Sequence, residues 1–262
     1  MPLLKSEEAN YYMSLIGILQ WLNELGRIDI CFAVQLMSRF NAMPREGHMK
    51  AVLRIFAYLK SHAESKLVFD SMPWDFSGIP FPKHDWSEMY PDASKDLPDK
   101  CPDPLGQPVQ ISTFVDAAHA DDLVTRRSTT GIIIFVNGTP IKWYSKRQNT
   151  VESSTYGSEF VALRIATELI TGLRYNLRML GIPIAGPANV FCDNQSVVTN
   201  ASIPSSMLKK KHNAISYHKV REAIAAGILR LAKEHTSTNL ADLLTKPLAG
   251  PRFKMLLSHI LY

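Results

Sequence analysis

The order of apolar runs from residue 111 onward limits the folds that this chain can adopt. Three β-branched or aromatic runs come first, and Asn137-Gly138 between the second and third is a strong hairpin signal. Strand-like and helical runs then alternate, giving strands at 111–115, 131–136, 141–144, 188–192 and 227–232, and helices at 155–179, 217–226 and 239–245. A β-meander followed by strand–helix alternation predicts an α/β (α+β) domain, with a mixed five-stranded sheet flanked by helices.

The residues before this domain follow different patterns. Three amphipathic stripes, the first of which stops at Gly26, predict a small helical unit over 1–69. Residues 70–110 hold eight of the sixteen prolines and eight acidic residues against three lysines. Because proline blocks helices and removes ladder donors, this segment is predicted to be a linker. We therefore expect the domain over 111–248 and a C-terminal tail over 249–262.

Composition excludes several classes of protein. Hydrophobic residues make up 46% and charged residues 20% of the 262 residues, so the chain is neither wholly disordered nor of low complexity. No run of about 18 apolar residues is present, so we expect no membrane-spanning helix, and the N-terminus lacks the apolar core of a signal peptide. Three widely spaced cysteines fit reduced thiols in an intracellular protein.

Charge is distributed unevenly along the chain. Residues 1–110 carry 11 Lys and Arg against 14 Asp and Glu, a net of −3, and residues 111–262 carry 18 against 10, a net of +8. A basic second half indicates a polyanionic partner. A solvated basic surface is an equally good interpretation of charge alone.

Four of the ten acidic residues in the second half stand where a metal site would need them. Asp116 and Asp193 each end an apolar strand, Glu159 lies in the first turns of the long helix, and Asp242 lies in the last short helix. Converging carboxylates repel one another unless cations neutralise them, and hard oxygen ligands favour Mg²⁺ or Mn²⁺. Taken singly, residues 193–196 could equally form a helix N-cap, and Asp242 could be a surface residue.

Five ordered motifs resemble the ribonuclease H domain of copia-type LTR retrotransposon polyproteins. They read FVDAAHAD at 114–121, RRSTTG at 126–131, TVESSTYGSEF at 150–160, CDNQS at 192–196 and LADLLTKPL at 240–248. Three more, YMSLIG at 12–17, RIDI at 27–30 and RIFAYLK at 54–60, resemble the helical region after the reverse transcriptase palm in those polyproteins. The resemblance covers nearly the whole chain.

The resemblance implies a ribonuclease H-like fold and an enzyme that cleaves the RNA strand of RNA/DNA hybrids. It implies a site of four carboxylates, matched here by Asp116, Glu159, Asp193 and Asp242, holding two Mg²⁺ ions for which Mn²⁺ can substitute. Integrases share the fold, but their Glu comes last in the chain. His235 precedes Asp242 in the loop where ribonucleases H often carry a mobile His that aids proton transfer.

The chain departs from the family pattern in two ways. Members often carry Asp-Ala-Asp in the first motif, and the second Asp is Ala118 here, which is not one of the four implied ligands. No Tyr-x-Asp-Asp motif occurs, so we expect no polymerase activity. The alternative function is that of an inactive fragment of a decayed element that keeps the fold and nucleic-acid binding. A third interpretation makes 1–69 a docking unit for a reverse transcriptase palm or another polyprotein segment.

Basic clusters in the same domain are expected to contact phosphates. Gln195 resembles a hybrid-contacting position of ribonucleases H, and its neighbour Asn194 is also expected to contact nucleic acid. The full predicted nucleic-acid set is Arg127, Lys146, Arg147, Asn194, Gln195, Lys209, Lys210 and Lys211. The lysine run could instead be a solvated loop or a nuclear-import signal. The resemblance implies an intracellular location, in cytoplasmic particles and the nucleus.

Overall fold

The structure, a computed structural model, describes residues 1–95, 100–208 and 211–262. Two units are present: Met1–Val68 together with Lys246–Tyr262, and Phe69–Thr245. The helices are α1 Ser6–Glu24, α2 Cys31–Ser38, α3 Glu46–Ser61, α4 Thr155–Met179, α5 Gln195–Ser202, α6 Ala214–Ala225 and α7 Gly250–Leu257, and the strands are β1 Ile111–Ala118, β2 Thr129–Val136, β3 Thr139–Arg147, β4 Ala188–Cys192 and β5 Leu229–Lys233. Short 3-10 helices span Ile28–Ile30, Lys211–Asn213 and Leu240–Leu244.

The second unit is built on a mixed five-stranded sheet of order β3-β2-β1-β4-β5. β2 pairs antiparallel with both β1 and β3, and the hairpin between β2 and β3 turns at Asn137, whose φ of 53° suits the tight turn. β4 is parallel to both β1 and β5. The predicted fold class is confirmed, and the central strand is β1, which carries Asp116.

One face of the sheet is covered by α4 and α6. Side chains of β1, β2 and β4 alternate, so that Val115, Ile132 and Val190 point to this face and pack with Phe160 and Leu163 of α4. Ser154 caps α4, since its Oγ accepts a hydrogen bond of 3.3 Å from the Gly157 amide. The helix has the bounds predicted from its periodicity.

The opposite face of the sheet is covered by part of segment 70–110. The rings of Trp74, Phe76 and Phe81 pack on Phe114, Phe135 and Phe191, with centroid separations between 4.7 and 6.0 Å. The segment expected to be a linker between domains thus belongs to the second unit. Its prolines exclude regular structure, but its aromatic side chains bury the apolar face that the helices leave open.

Further along this segment, Trp86 contacts a fully buried arginine of α6. The Arg221 guanidinium lies 4.8 Å from the Trp86 ring centroid and donates to the main-chain oxygens of Asn200, Ile203 and Pro204. These carbonyls lie in the last turn of α5 or just after it, where the helix offers no further amide donors. Arg221 therefore fixes the path of the chain between α5 and α6.

The first unit packs α1, α2 and α3 around Tyr12, Leu19 and Val52. Gly26 ends α1 as predicted, with a φ of 118° that favours glycine. Residues 249–262, expected to be a tail, instead form α7 and a bridge between Leu261 and Leu67. Within the described ranges, no helix has both the length and the apolar character needed to cross a membrane.

Candidate active site

The sheet topology brings the predicted site residues to one edge. Because β1, β4 and β5 are parallel, their C-terminal ends lie together, and the antiparallel pairing places the start of β2 and the end of β3 at the same edge. Asp116 lies near the end of β1, Asp193 follows β4 and His235 follows β5. Lys146 and Arg147 end β3, and α4 begins shortly afterwards, which brings Glu159 to this edge.

Two of the four carboxylates meet at a buried thiol. Ligand atoms of Glu159, Cys192 and Asp193 all lie within 4.8 Å of one another. The Cys192 Sγ is completely buried and lies 3.9 Å from Glu159 Oε2, to which it donates. Glu159 is almost fully buried, while Asp193 is half-buried. This cluster is thus supplied by α4 and by the end of β4.

The charge of a third carboxylate, Asp116, also raises the pKa of the Cys192 thiol. Burial raises the pKa of the Cys192 thiol well above its usual value, and the Glu159 carboxylate raises it further. A hydrogen bond from the Asn194 amide lowers the pKa of the thiol, whereas the charges of Asp193 and Asp116 raise it. The thiol therefore stays protonated, and carboxylate oxygens are the anionic groups that this part of the site offers.

Asp116 is held by the segment around the last 3-10 helix. Thr245 Oγ1 donates a hydrogen bond to Asp116 Oδ2. Asn239 donates from Nδ2 to the Val115 carbonyl at 3.0 Å and accepts from the Ala241 amide at 3.1 Å, so it caps this helix while attaching it to β1. Both ends of the helix are therefore fixed to β1 next to Asp116.

Asp242 lies within that 3-10 helix, which packs over β1 and β2. The residue is fully buried, which excludes the interpretation of Asp242 as a surface residue. Among the described residues, Asp116 and Asp242 fall outside the 4.8 Å cluster of Glu159, Cys192 and Asp193. Glu159 and Asp193 thus lie together beside Cys192, and the 3-10 helix that carries Asp242 is attached to β1 next to Asp116.

The loop between β1 and β2 is stabilised by a partly buried ion pair. Arg147 pairs with Asp122, whose Oδ1 also accepts from the amides of Val124 and Thr125 at 3.1 and 3.0 Å. Arg147 was predicted to bind nucleic acid, but its guanidinium instead pairs with a carboxylate of the same chain. Arg127 lies half-buried in the same loop and Lys146 is exposed.

The lysine run is only partly described. Lys209 and Lys210 lie outside the described residues, whereas Lys211 begins the 3-10 helix Lys211–Asn213 and is exposed. His212 Nε2 in this helix lies 3.6 Å from the buried Glu152 Oε2, just before α4. Lys211 is therefore held near the start of the helix that carries Glu159.

Asn194 is the N-cap of α5. Its Oδ1 accepts from the amides of Ser196 and Val197 at 3.1 and 3.2 Å, so the N-cap interpretation of this stretch is confirmed. Gln195 is exposed, and its Nε2 donates to Thr199 Oγ1 at 3.1 Å. His235 is also exposed, with Nδ1 2.7 Å from Ser237 Oγ.

Several residues that shape the site were not singled out from sequence. Thr245 and Asn239 position Asp116 and the 3-10 helix, and Lys233 Nζ donates to the main-chain oxygen of Asp193. Gly131 leaves the space that the 3-10 helix occupies above β2. Gly131 lies in the RRSTTG motif and Thr245 in the LADLLTKPL motif, and this membership is the only feature of the sequence that could have pointed to them.

The donor set fits hard divalent cations. Four carboxylates stand at one edge, and the neighbouring Cys192 is held as a neutral thiol. Carboxylate oxygens are the ligands that Mg²⁺ and Mn²⁺ prefer, whereas softer ions select thiolates. Glu159 and Asp193 could hold one ion, and Asp116 together with Asp242 could complete the site.

Comparison with known proteins identifies relatives over nearly the whole chain. The retrovirus-related Pol polyprotein from transposon RE1 of Arabidopsis thaliana is 29% identical over 256 residues, covering 98% of this chain and 15% of that protein. The Pol polyprotein from transposon TNT 1-94 of Nicotiana tabacum is 28% identical over 93% of this chain and 16% of its own length. The chain is a homologue of these transposon Pol polyproteins. The resemblance predicted from the motifs is thereby confirmed.

This Pol homologue thus spans about 15% of the length of the first of these relatives. No protein-family model matches its sequence. Among solved structures, LC11 ribonuclease H1 in complex with an RNA/DNA hybrid aligns with a TM-score of 0.42 and 16% identity, covering 52% of this chain and 94% of that one.

Proposed function

We propose that the unit Phe69–Thr245 is a metal-dependent ribonuclease H that hydrolyses the RNA strand of RNA/DNA hybrids during retrotransposon reverse transcription. The observation that carries the proposal is the meeting of Glu159 and Asp193 at the buried Cys192 sulfur, at the same edge of the sheet as Asp116. Asp242 is held on a 3-10 helix attached to β1 beside Asp116. The homology to transposon Pol polyproteins supports the same function.

The carboxylates are proposed to hold two Mg²⁺ ions. When bound, such ions activate the attacking water and stabilise the leaving 3′-oxygen. The protein's own contribution is positioning. Thr245 orients the Asp116 carboxylate, and Lys233 fixes the turn at Asp193 by binding its carbonyl. Burial of Glu159 limits its motion, so its carboxylate keeps its place when the substrate arrives.

Substrate binding is proposed to use the cations at the same edge. Arg127 lies in the loop just before β2, Lys146 lies at the end of β3, and Lys211 begins the 3-10 helix before α6. Phosphate contacts of this kind supply affinity without reading sequence. Gln195, exposed at the start of α5 next to Asp193, is proposed to reach the hybrid's minor groove, where 2′-hydroxyls distinguish RNA from DNA.

The test separates cleavage from binding. Asp193→Asn keeps the side-chain volume but removes one negative charge from the site, so it should abolish Mg²⁺-dependent cleavage of labelled hybrid and leave hybrid affinity unchanged or higher. Asp103→Asn, at an exposed position of the same unit, is the matched control and should cleave as the parent does. Replacing Arg127 and Lys146 with Gln should weaken binding and reduce its salt dependence.

Two outcomes would contradict the proposal. If Asp193→Asn cleaves as fast as the parent at saturating hybrid, Asp193 holds no catalytic ion. If the parent binds hybrid but never cleaves it in Mg²⁺ or Mn²⁺, the chain is the inactive binding module of a decayed element.

A further inference from the structure

A cavity of about 350 Å³ lies in the second unit between the last turns of α4 and α6. Residues 92–95 close it on one side, and Ala223 and Ile228 form an apolar wall. Arg174 in its lining follows Glu159 by fifteen residues along α4, a separation of about 22 Å at 1.5 Å per residue. The cavity is therefore separate from the carboxylate site.

The lining is rich in cations. Lys95, Arg174, Arg178 and Lys219 line the cavity with two acidic residues, Asp92 and Glu222. Lys219 lies 3.9 Å from Glu222. Over residues 1–95, 100–208 and 211–262, no carboxylate forms an ion pair with Lys95, Arg174 or Arg178. Three positive charges thus line one cavity without an ion-pair partner among the described residues.

These cations are held in place by the protein. Arg174 is only 5% exposed, and its Nη1 donates to the Gly186 carbonyl at 2.8 Å. Lys95 lies across Gly227, whose φ is 62°, and a Cβ at that glycine would be 3.0 Å from Lys95 Cε. Gly227 therefore leaves the room that the lysine side chain needs to reach the cavity.

The cations also repel one another. Burial lowers the pKa of Arg174 to about 10, and the neighbouring Arg178 charge contributes to this shift. Burial also lowers the pKa of Lys95, with further contributions from the charges of Arg174 and Arg178. An anion bound among these three side chains would relieve this repulsion.

We propose that this cavity binds a phosphate group carried by a nucleotide or by a nucleic-acid strand. Arginine side chains present paired N–H donors that match phosphate oxygens, and lysine adds a compact charge. Tyr175, 52% exposed at the rim, offers a ring on which a base can stack. This site goes beyond the proposed hydrolase and does not depend on it.

The test is calorimetric titration of the full chain with AMP, adenosine, inorganic phosphate and a short single-stranded RNA at low salt. We expect AMP or RNA to bind and adenosine not to bind. Arg178→Gln and Lys95→Gln should each weaken binding about tenfold, the size of one lost charge-assisted hydrogen bond. Lys142→Gln, at an exposed position of β3, removes one positive charge outside the cavity lining and should not weaken binding. Arg178→Lys should restore part of the affinity.

The outcomes decide both the site and the source of the phosphate. Binding of AMP and inorganic phosphate, lost in Arg178→Gln, supports a site for free nucleotides. Binding of RNA alone, with the same loss, supports a backbone phosphate. The proposal is wrong if no phosphate compound binds, if adenosine binds as well as AMP, or if Lys142→Gln weakens binding as much as Arg178→Gln. Asp193→Asn should leave this binding unchanged, so failure of the proposed hydrolase would be seen separately.

Discussion

Gly131 lies directly opposite Asp116 in the β1–β2 register, so both residues face the last 3-10 helix. A Cβ on Gly131 would lie 2.5 Å from Thr245 Cγ2 and 2.7 Å from the Ala241 carbonyl oxygen. Thr245 in turn donates to Asp116. The missing side chain at Gly131 therefore allows the helix that carries Asp242 to approach the sheet closely enough for Thr245, which follows it, to bind Asp116.

Gly131→Ala should displace this helix and lower both stability and hybrid cleavage. The added methyl meets backbone, which yields less readily than a flexible side chain, so we expect a loss of about 1–3 kcal/mol in the free energy of unfolding. Gly172→Ala is the matched control, because nothing lies within 4 Å of its Cβ position in the middle of α4; it should gain about 0.5–1 kcal/mol. Urea unfolding measures both, and equal midpoints for Gly131→Ala and the parent would contradict the close approach.

Phe76→Ala should destabilise the second unit, because the ring covers Phe191 at a centroid distance of 4.9 Å. Since Phe76 is only half-buried, we expect a loss of about 2 kcal/mol, less than the value for a fully buried ring. Phe69→Ala, where the ring is 78% exposed, is the control and should change little.

A chain cut to residues 111–248 should be poorly soluble, since its Phe114, Phe135 and Phe191 would be uncovered. A soluble fragment with the parent's thermal midpoint would show that segment 70–83 is dispensable.

The ion pair of Asp122 and Arg147 should make stability depend on pH. Burial acts to raise the pKa of the Asp122 carboxyl, but hydrogen bonds from the Thr125 amide, Arg147 and the Val124 amide outweigh it and hold the pKa below its usual value. The stabilisation is therefore present above the unfolded pKa of about 3.9 and is lost as pH falls through the folded pKa. Unfolding of Asp122→Asn and the parent should differ most at neutral pH and converge in acid. A difference that stays constant from pH 7 to pH 2 would rule out this linkage.

Long periodic elements of this chain could be predicted from sequence, and short or context-dependent ones could not. The apolar stripe of α4 and the β-branched run of β2 specify their structures locally. In contrast, α5 is an eight-residue helix containing Val, Thr and Asn, and its Asn194 cap and buried Val197 stabilise it more than propensity does. Segment 70–83 has no regular structure, and only contacts with distant strands reveal its role as a cover.

The same distinction applies to the site. Asp116 and Asp193 were identifiable because a carboxylate at the end of an apolar strand is unusual. The roles of Thr245 and Gly131 depend on contacts between residues more than one hundred positions apart along the chain, which no local pattern contains. The pairing of Arg147 with Asp122 likewise required the structure.

The most direct test of the central claim is the rate at which the full chain cleaves the RNA strand of a labelled hybrid in Mg²⁺, compared between Glu159→Gln and Glu168→Gln. Both substitutions neutralise one carboxylate of α4, but Glu159 is buried beside Cys192 and Glu168 is exposed and paired with Arg164. We predict that Glu168→Gln cleaves at the parent rate while Glu159→Gln loses at least about 100-fold with hybrid binding intact. Equal cleavage by the two variants would contradict a carboxylate metal site at this edge of the sheet.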